Sequence, residues 1–396
     1  ILFGFDHFVE KPRQEKLRAQ MEAQAVAEQK TLDIKAADAG AVINAGDDAV
    51  KTREEALAVD AGTRLPIKGA RVSGSLSLTG LRVDDLTLNE HTEVLHGADP
   101  VVLLAPGNTD MGFYFESGWV ANGYAGALPT ADTTWSVAPN SAREITSGGA
   151  PVVLQWNNGQ GLTFEREITL DDNYMFTVTN RVKNAGSSDV RLNAYHVVAR
   201  NNLPRDFSGF FVLHEGPIGA LDGEEEKLSY KNMREGDKIE RNGVKGWLGI
   251  TDKYWMVAML PPKDETFNAR IVAAPRKQAG SHVYQTDIVS EPVTIAAGAT
   301  AEDVTHVYAG VKKNDVISAY EDQLGINNLG LSIDWGMWYF ITQPFYWLLH
   351  FLFNLTGSVA AGILLMTVVI RAAVFPLASK AFKSMARMKL IAPQLK

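Results

Sequence analysis

The chain has no cysteine in its 396 residues. Disulfides, thiolate catalysis and cysteine-ligated zinc are therefore excluded, while a cysteine-free chain suits any compartment. Also absent are a G-x-S-x-G elbow, a Walker phosphate loop, an H-E-x-x-H pair and a G-x-G-x-x-G turn after a strand. The histidines (His7, His91, His96, His196, His214, His282, His306, His350) show no ligand spacing; His91 and His96 flank Glu93 as a surface loop would. No metal is expected. Basic excess is lacking too: 38 Lys and Arg stand against 46 Asp and Glu, net -8. A nucleic-acid surface needs a basic face, so no nucleic-acid binding is expected.

Long apolar runs are equally scarce, which makes the one present informative. Residues 359–378 read VAAGILLMTVVIRAAVFPLA, broken by Thr367 and Arg371. About 20 apolar residues cross a hydrocarbon core. A cation there costs roughly 2.5–3.5 kcal/mol, and a guanidinium does not shed its proton to escape. Two readings stand: Arg371 serves a polar intramembrane site, or it snorkels toward Ser379, about 12 Å along the helix. Beyond the run, Lys380, Lys383, Arg387, Lys389 and Lys396 appear without an acid, whereas Glu321, Asp322 and Asp334 precede it. The positive-inside rule places residue 396 in the cytoplasm and the preceding domain outside it.

The chain is long enough for one large domain or two ordinary ones. It opens on Ile1, and ILFGFDHF reads as the tail of an apolar segment, so a longer protein is expected around this chain. Residues 9–30 are good helix formers without a wide apolar stripe. Residues 31–62, rich in Ala, Asp and Gly, read as a solvated linker. From about Thr63 the period is two: many short strand signals follow, including 75–79, 162–170, 175–182, 209–213 and 247–250, separated by turn clusters such as Asn157-Asn158-Gly159. That pattern predicts a large all-β sandwich. Asp84 and Asp85, adjacent on a strand, should point to opposite faces and serve as turn or loop anchors. Trp119, Trp156, Trp247 and Trp255 could stack on sugars, but core packing suits them better. Residues 315–326 return to helical spacing.

Residues 335–355 (WGMWYFITQPFYWLLHFLFNL) carry nine aromatics, Trp335, Trp338, Tyr339 and Trp347 among them, with Pro344 and His350 interspersed. Trp and Tyr favour the headgroup level, and proline opposes a straight span. The segment reads as a helix lying in the interface plane, the alternative being a short second span.

Together these segments resemble the YidC membrane protein insertase family in its Gram-negative form. GSLSLTGLRVDDLTL (74–88), WLGITDKYWMVAMLP (247–261) and VYAGVKK (307–313) are similar to its periplasmic strands. DWGMWYFITQPFYWLLHFL (334–352) resembles its interfacial helix, and residues 363–396 its second membrane helix and the start of its cytoplasmic hairpin. The resemblance implies the end of a first transmembrane helix at 1–8, a polar helical or flexible linker at 9–62, and a periplasmic β-supersandwich at 63–326. It further implies an interfacial amphipathic helix at 335–355, a transmembrane helix at 358–379 and the hairpin start at 380–396. The fold class is thus a mainly β periplasmic domain followed by α-helical membrane segments, in a multi-pass protein of the bacterial inner membrane. The implied role is non-enzymatic and cofactor-free. Clients would be nascent membrane proteins; partners would be the Sec translocon, the ribosome through cytoplasmic regions of the full protein, and the lipid bilayer. The family's groove arginine and nearby polar residue correspond to Arg371 and Thr367, which favours the groove reading over snorkelling. The groove's later helices would lie beyond Lys396. The alternative is a membrane-tethered periplasmic carbohydrate-binding or mutarotase-like protein.

Overall fold

The computed structural model describes residues 51–391, apart from 95–96, 208, 210–212, 279 and 337. The expectations for residues 1–50 and His96, and most of the strand read at 209–213, lie outside the described residues. The chain divides into two units between Ile333 and Asp334.

The first unit is two β-sheets. One sheet runs in the order Ile239–Val244, Phe267–Pro275, His282–Ser290, Val190–Asn201, Phe113–Ala121, Val83–Thr92, Val72–Ser77, Arg64–Lys68 and Ile145–Thr146. The other runs Glu224–Lys227, Gly216–Leu221, Gly246–Thr251, Trp255–Leu260, Thr300–Val311, Met175–Asn184, Leu162–Leu170, Val152–Asn157 and Ser136–Val137. Among these strands only Ile145–Thr146 pairs in parallel, against Ile67 and Lys68. The mainly β class followed by helices is therefore what the chain adopts.

Period-two burial is clearest along Leu162–Leu170, where every second residue is buried. The turn before it follows from side-chain chemistry. Gly159 takes φ +68°, where a Cβ would be strained. Asn157 Oδ1 accepts from Gly159 N at 2.7 Å, and Asn158 Oδ1 accepts from Gln160 N at 2.8 Å. Trp119 and Trp247 are buried, and Trp156 and Trp255 pack half-buried against the same core, so all four serve packing.

Two local expectations change. Residues 53–59 form helix α1 (Arg53–Val59) inside the stretch read as linker. Thr52 and Glu55 make a reciprocal capping box, Ala56 is buried, and Arg53 pairs with Asp85, so local caps and one tertiary ion pair hold it. Asp84 and Asp85 are buried ion-pair partners, not turn or loop anchors. Ser75 pairs with Asp85 and Leu76 with Val83, leaving Asp84 as the extra residue of a β-bulge. The bulge suspends strict alternation. Arg64 pairs with Asp84 and donates through Nε to Ser75 Oγ at 2.8 Å, and Ser75 in turn donates to Asp85. Both carboxylates thus enter one network.

Helix α2 (Tyr230–Arg234) is a single short turn. Helix α3 (Asn314–Leu324) buries Val316, Ile317 and Tyr320, the side read from the sequence. Its exit is pinned. Glu321 accepts from Asn328 N and Gly330 N, both at 2.9 Å, and the Trp247 Nε1–H donates to Asn328 O at 3.2 Å.

Charged groups also stitch the sheets from inside. Arg166 follows the inward register and donates to Asn180 Oδ1 at 2.8 Å, Leu81 O at 3.0 Å and Ser117 O. Burial lowers its pKa to about 10. His196 Nε2 lies 3.1 Å from Asp303 Oδ2, across from one sheet to the other. Burial pushes the Asp303 carboxyl up, but His196, Asn180 and Ser290 outweigh it and hold it below the usual carboxylate range. A depressed carboxylate stabilises the fold fully above its unfolded value of about 3.9 and loses that contribution as pH falls through the folded value. Thermal melts between pH 3 and 7 should therefore show wild-type stability declining below about pH 4 more steeply than Asp303→Asn. Parallel acid limbs would refute this coupling.

Candidate functional site

The second unit supplies the site. Helix α4 (Tyr339–Thr356) is followed, after Gly357 and Ser358, by helix α5 (Val359–Ile391). Gly357 takes φ +68° as the left-handed cap of α4, and its N–H bonds Phe353 O at 2.7 Å. Pro344 lies inside α4 without ending it. Leu352 is the buried apolar residue of α4, and Leu349 reaches toward Gly362 of α5.

Most other apolar surface in this unit is bare. Among the described residues, every exposed large hydrophobic lies between Trp338 and Met385 except Val59, Val94 and Tyr254. A helix apolar all round belongs in a core or a membrane. Of the described helices, α5 alone is long and apolar enough to cross a bilayer, over Val359–Met385 with mean hydropathy 2.1.

Thr367 and Arg371 both stand exposed on α5, one turn apart. At about 100° per residue they share a face with Leu364, while the buried Gly362, whose neighbours are Leu349 and Phe353 of α4, lies about 180° around the helix from Arg371. The face bearing the cation is thus uncovered by α4. Sequence spacing revealed the i, i+4 pair but not which side of α5 its neighbour occupies. Thr367 Oγ donates to Ile363 O at 2.9 Å, so its proton is already committed and only its lone pairs remain for a ligand. The exposed cation therefore has a hydrogen-bond acceptor beside it.

The aromatic residues divide. Trp335 is half-exposed and turns back onto α4, its ring 5.1 Å from that of Tyr346. Trp338, Tyr339 and Trp347 are exposed by 60, 59 and 56%. Trp347 also meets Tyr346, at 5.6 Å, and Tyr346 stacks on His350 at 5.9 Å. Tyr346 is the hub of this cluster, and the sequence reading had not singled it out. If α4 lies at the interface, Trp338 and Trp347 should both be quenched most strongly by shallow lipid-attached quenchers. Deep quenching of either would favour a spanning α4.

The sugar-binding alternative needs a cleft with free acid–base groups and stacked tryptophans. A cavity lined by Glu116, Trp119, Trp135, Glu165, Arg166 and Tyr195 offers such residue types. Its volume is about 10 Å³, room for one water. Glu116 is moreover engaged by Arg82 and Tyr195. A larger cleft of about 320 Å³ lies between Thr177, His306 and Tyr320, without a tryptophan. Its carboxylate, Asp171, already accepts from Asn173 N, Met175 N and Tyr320 OH. Neither cavity meets the requirement.

Comparison with known proteins agrees with the membrane reading. The family described as the YidC periplasmic domain matches residues 64–348. The chain is 38% identical to the membrane protein insertase YidC of Bradyrhizobium diazoefficiens, over 100% of this chain and 67% of that protein. It is 35% identical to the membrane protein insertase YidC of Beijerinckia indica, over 100% of this chain and 66% of that protein. The chain thus spans about two thirds of the length of these relatives. A solved galactose mutarotase-like protein from Lactobacillus casei is 12% identical at a TM-score of 0.43, covering 62% of this chain and all of that one. A likeness of that degree decides nothing about function.

Proposed function

Because the chain belongs to the YidC membrane protein insertase family, we propose that it carries the periplasmic domain and a membrane span of an insertase that transfers nascent membrane proteins into the bacterial inner membrane, alone or with the Sec translocon. The role is non-covalent. In this reading the β unit is periplasmic, α4 lies at the outer headgroup level, and α5 crosses the bilayer as one span of a multi-pass protein. Ribosome contacts would come from cytoplasmic regions of the full protein.

The observation that carries the mechanism is Arg371, the one cation within the apolar run 359–378, exposed on the face that α4 leaves bare. Later helices of the full protein would wall that face into a hydrophilic groove. A guanidinium there attracts the polar or acidic extracytoplasmic tail of a client and shortens the hydrocarbon path that tail must cross. The lone pairs of Thr367, toward the periplasmic end, accept a hydrogen bond from the advancing chain. Attraction must be moderate, because the client has to leave.

The test is client insertion by the full-length protein reconstituted in vesicles. Arg371→Ala should lower insertion of acidic-tailed clients about tenfold or more, as loss of a charge-assisted bond of about 1.5–3 kcal/mol implies. Arg371→Lys should retain most activity, because a point charge suffices where no bidentate fork is needed. Wild-type rates for Arg371→Ala with every client, or a thiol probe at Arg371→Cys reporting only lipid, would restore the snorkelling reading.

A further inference from the structure

From Trp335 to Lys396 the chain contains no acidic residue, yet the helix carries on past its apolar run. Helix α5 is 33 residues long, about 50 Å at 1.5 Å per residue, against a hydrocarbon core of about 30 Å. Its last turns therefore leave the core still helical. Lys380, Lys383 and Arg387 occupy this stretch at i, i+3 and i+7, within an arc of about 60°. Lys389 falls on the opposite side by the same arithmetic. Lys380 and Lys383 are exposed, and neither has a carboxylate partner among the described residues. Nothing on the helix itself neutralises the stripe.

We propose that Lys380, Lys383 and Arg387 form a docking stripe for the phosphates of anionic phospholipids in the cytoplasmic leaflet. The inference rests on the reading of α5 as a span. Depth decides between the two phosphate-bearing partners that a basic stripe could meet. Counting from Ala378, Lys380 stands about 3 Å and Lys383 about 7.5 Å beyond the apolar run, within a headgroup layer of about 5–7.5 Å. The helical position of Arg387 lies about 13.5 Å out, and an arginine side chain is long enough to recover part of that distance. Lipid phosphates occupy that layer at high local concentration, whereas an RNA would have to press into it. The stripe orients α5 axially: it holds the cytoplasmic end at a fixed depth and so fixes how far Arg371 lies from the headgroups.

The full-length protein in phosphatidylcholine vesicles, probed with spin-labelled phosphatidylglycerol and phosphatidylcholine, tests this directly. Wild type should retain phosphatidylglycerol in its immobilised shell several-fold over phosphatidylcholine. Each neutralisation among Lys380→Gln, Lys383→Gln and Arg387→Gln should lower that preference by up to about fivefold per cation. In 1 M salt, where the screening length is about 3 Å, the wild-type preference should shrink toward the triple variant's. An unchanged preference in the triple variant overturns the proposal. So does a triple variant that keeps its lipid preference but loses binding to single-stranded RNA, which would assign the stripe to nucleic acid. Failure of the spanning reading shows separately, as labelling of Ala386→Cys by an impermeant maleimide from the periplasmic side.

Discussion

Alanine at Trp247 is expected to destabilise the β unit by about 3–5 kcal/mol, a large part of the 5–15 kcal/mol that holds a typical domain. Trp247 is the largest fully buried side chain among the described residues, on the strand Gly246–Thr251. Its removal leaves a void in close-packed surroundings that relax only partly. It also deprives Asn328 O of the indole N–H, which loosens the segment leading from α3 to the second unit. Trp247→Phe preserves most of the volume and should cost markedly less than the alanine variant. Denaturant unfolding of the chain in detergent, followed by near-ultraviolet circular dichroism, separates the two. A loss below about 1 kcal/mol for Trp247→Ala would mean the site collapses without a cavity.

An aspartate at Val369 is expected to disfavour the membrane-inserted state of α5 by about 2.5–3.5 kcal/mol, roughly a hundredfold in the insertion equilibrium. Val369 is near the middle of the apolar run and partly exposed. It lies about 160° around the helix from Arg371, so the new carboxylate cannot reach that guanidinium for relief. Because the chain has no cysteine, one introduced thiol at Ala386 reports the side of its helix without background. The variant should show the thiol on the wrong side, or lose the protein to proteolysis. Unaltered, fully one-sided labelling would show that this face of α5 meets water or protein and not lipid, and would relocate the groove.

The sheet unit was legible wherever local chemistry repeats. Alternation along Leu162–Leu170 and the Asn157-Asn158-Gly159 turn are properties of neighbouring residues, so the strand pattern and sandwich class follow from them. What alternation hid was the inward place of a cation. Arg166 keeps the same register as Phe164 and Ile168, and only a partner sheet offering Ser117 O and Leu81 O makes that tolerable. Asp84 and Asp85 mislead for a related reason: one bulged residue cancels the period, and no local signal in the sequence marks where the partner strand slips. Helix α1 was missed because its caps are local but its anchor, Asp85, lies 32 residues away.

For the candidate site, Arg371, Thr367 and the aromatic residues of α4 were visible from composition alone, since a cation within twenty apolar residues needs no fold to be conspicuous. Which face of α5 stays open depended on where α4 packs, and the hub role of Tyr346 depended on Trp335 turning back across a loop. Residue order alone specifies the solvent each segment requires: alternating strands for a watered sandwich, a continuous apolar run for lipid, cations and no acids beyond it. Tertiary structure decided which polar groups could be buried and which were left facing outward. The physical reason is that partition depends on each residue's own transfer free energy, summed along the chain, whereas the cost of a buried charge depends on donors and acceptors that distant strands bring within about 3 Å.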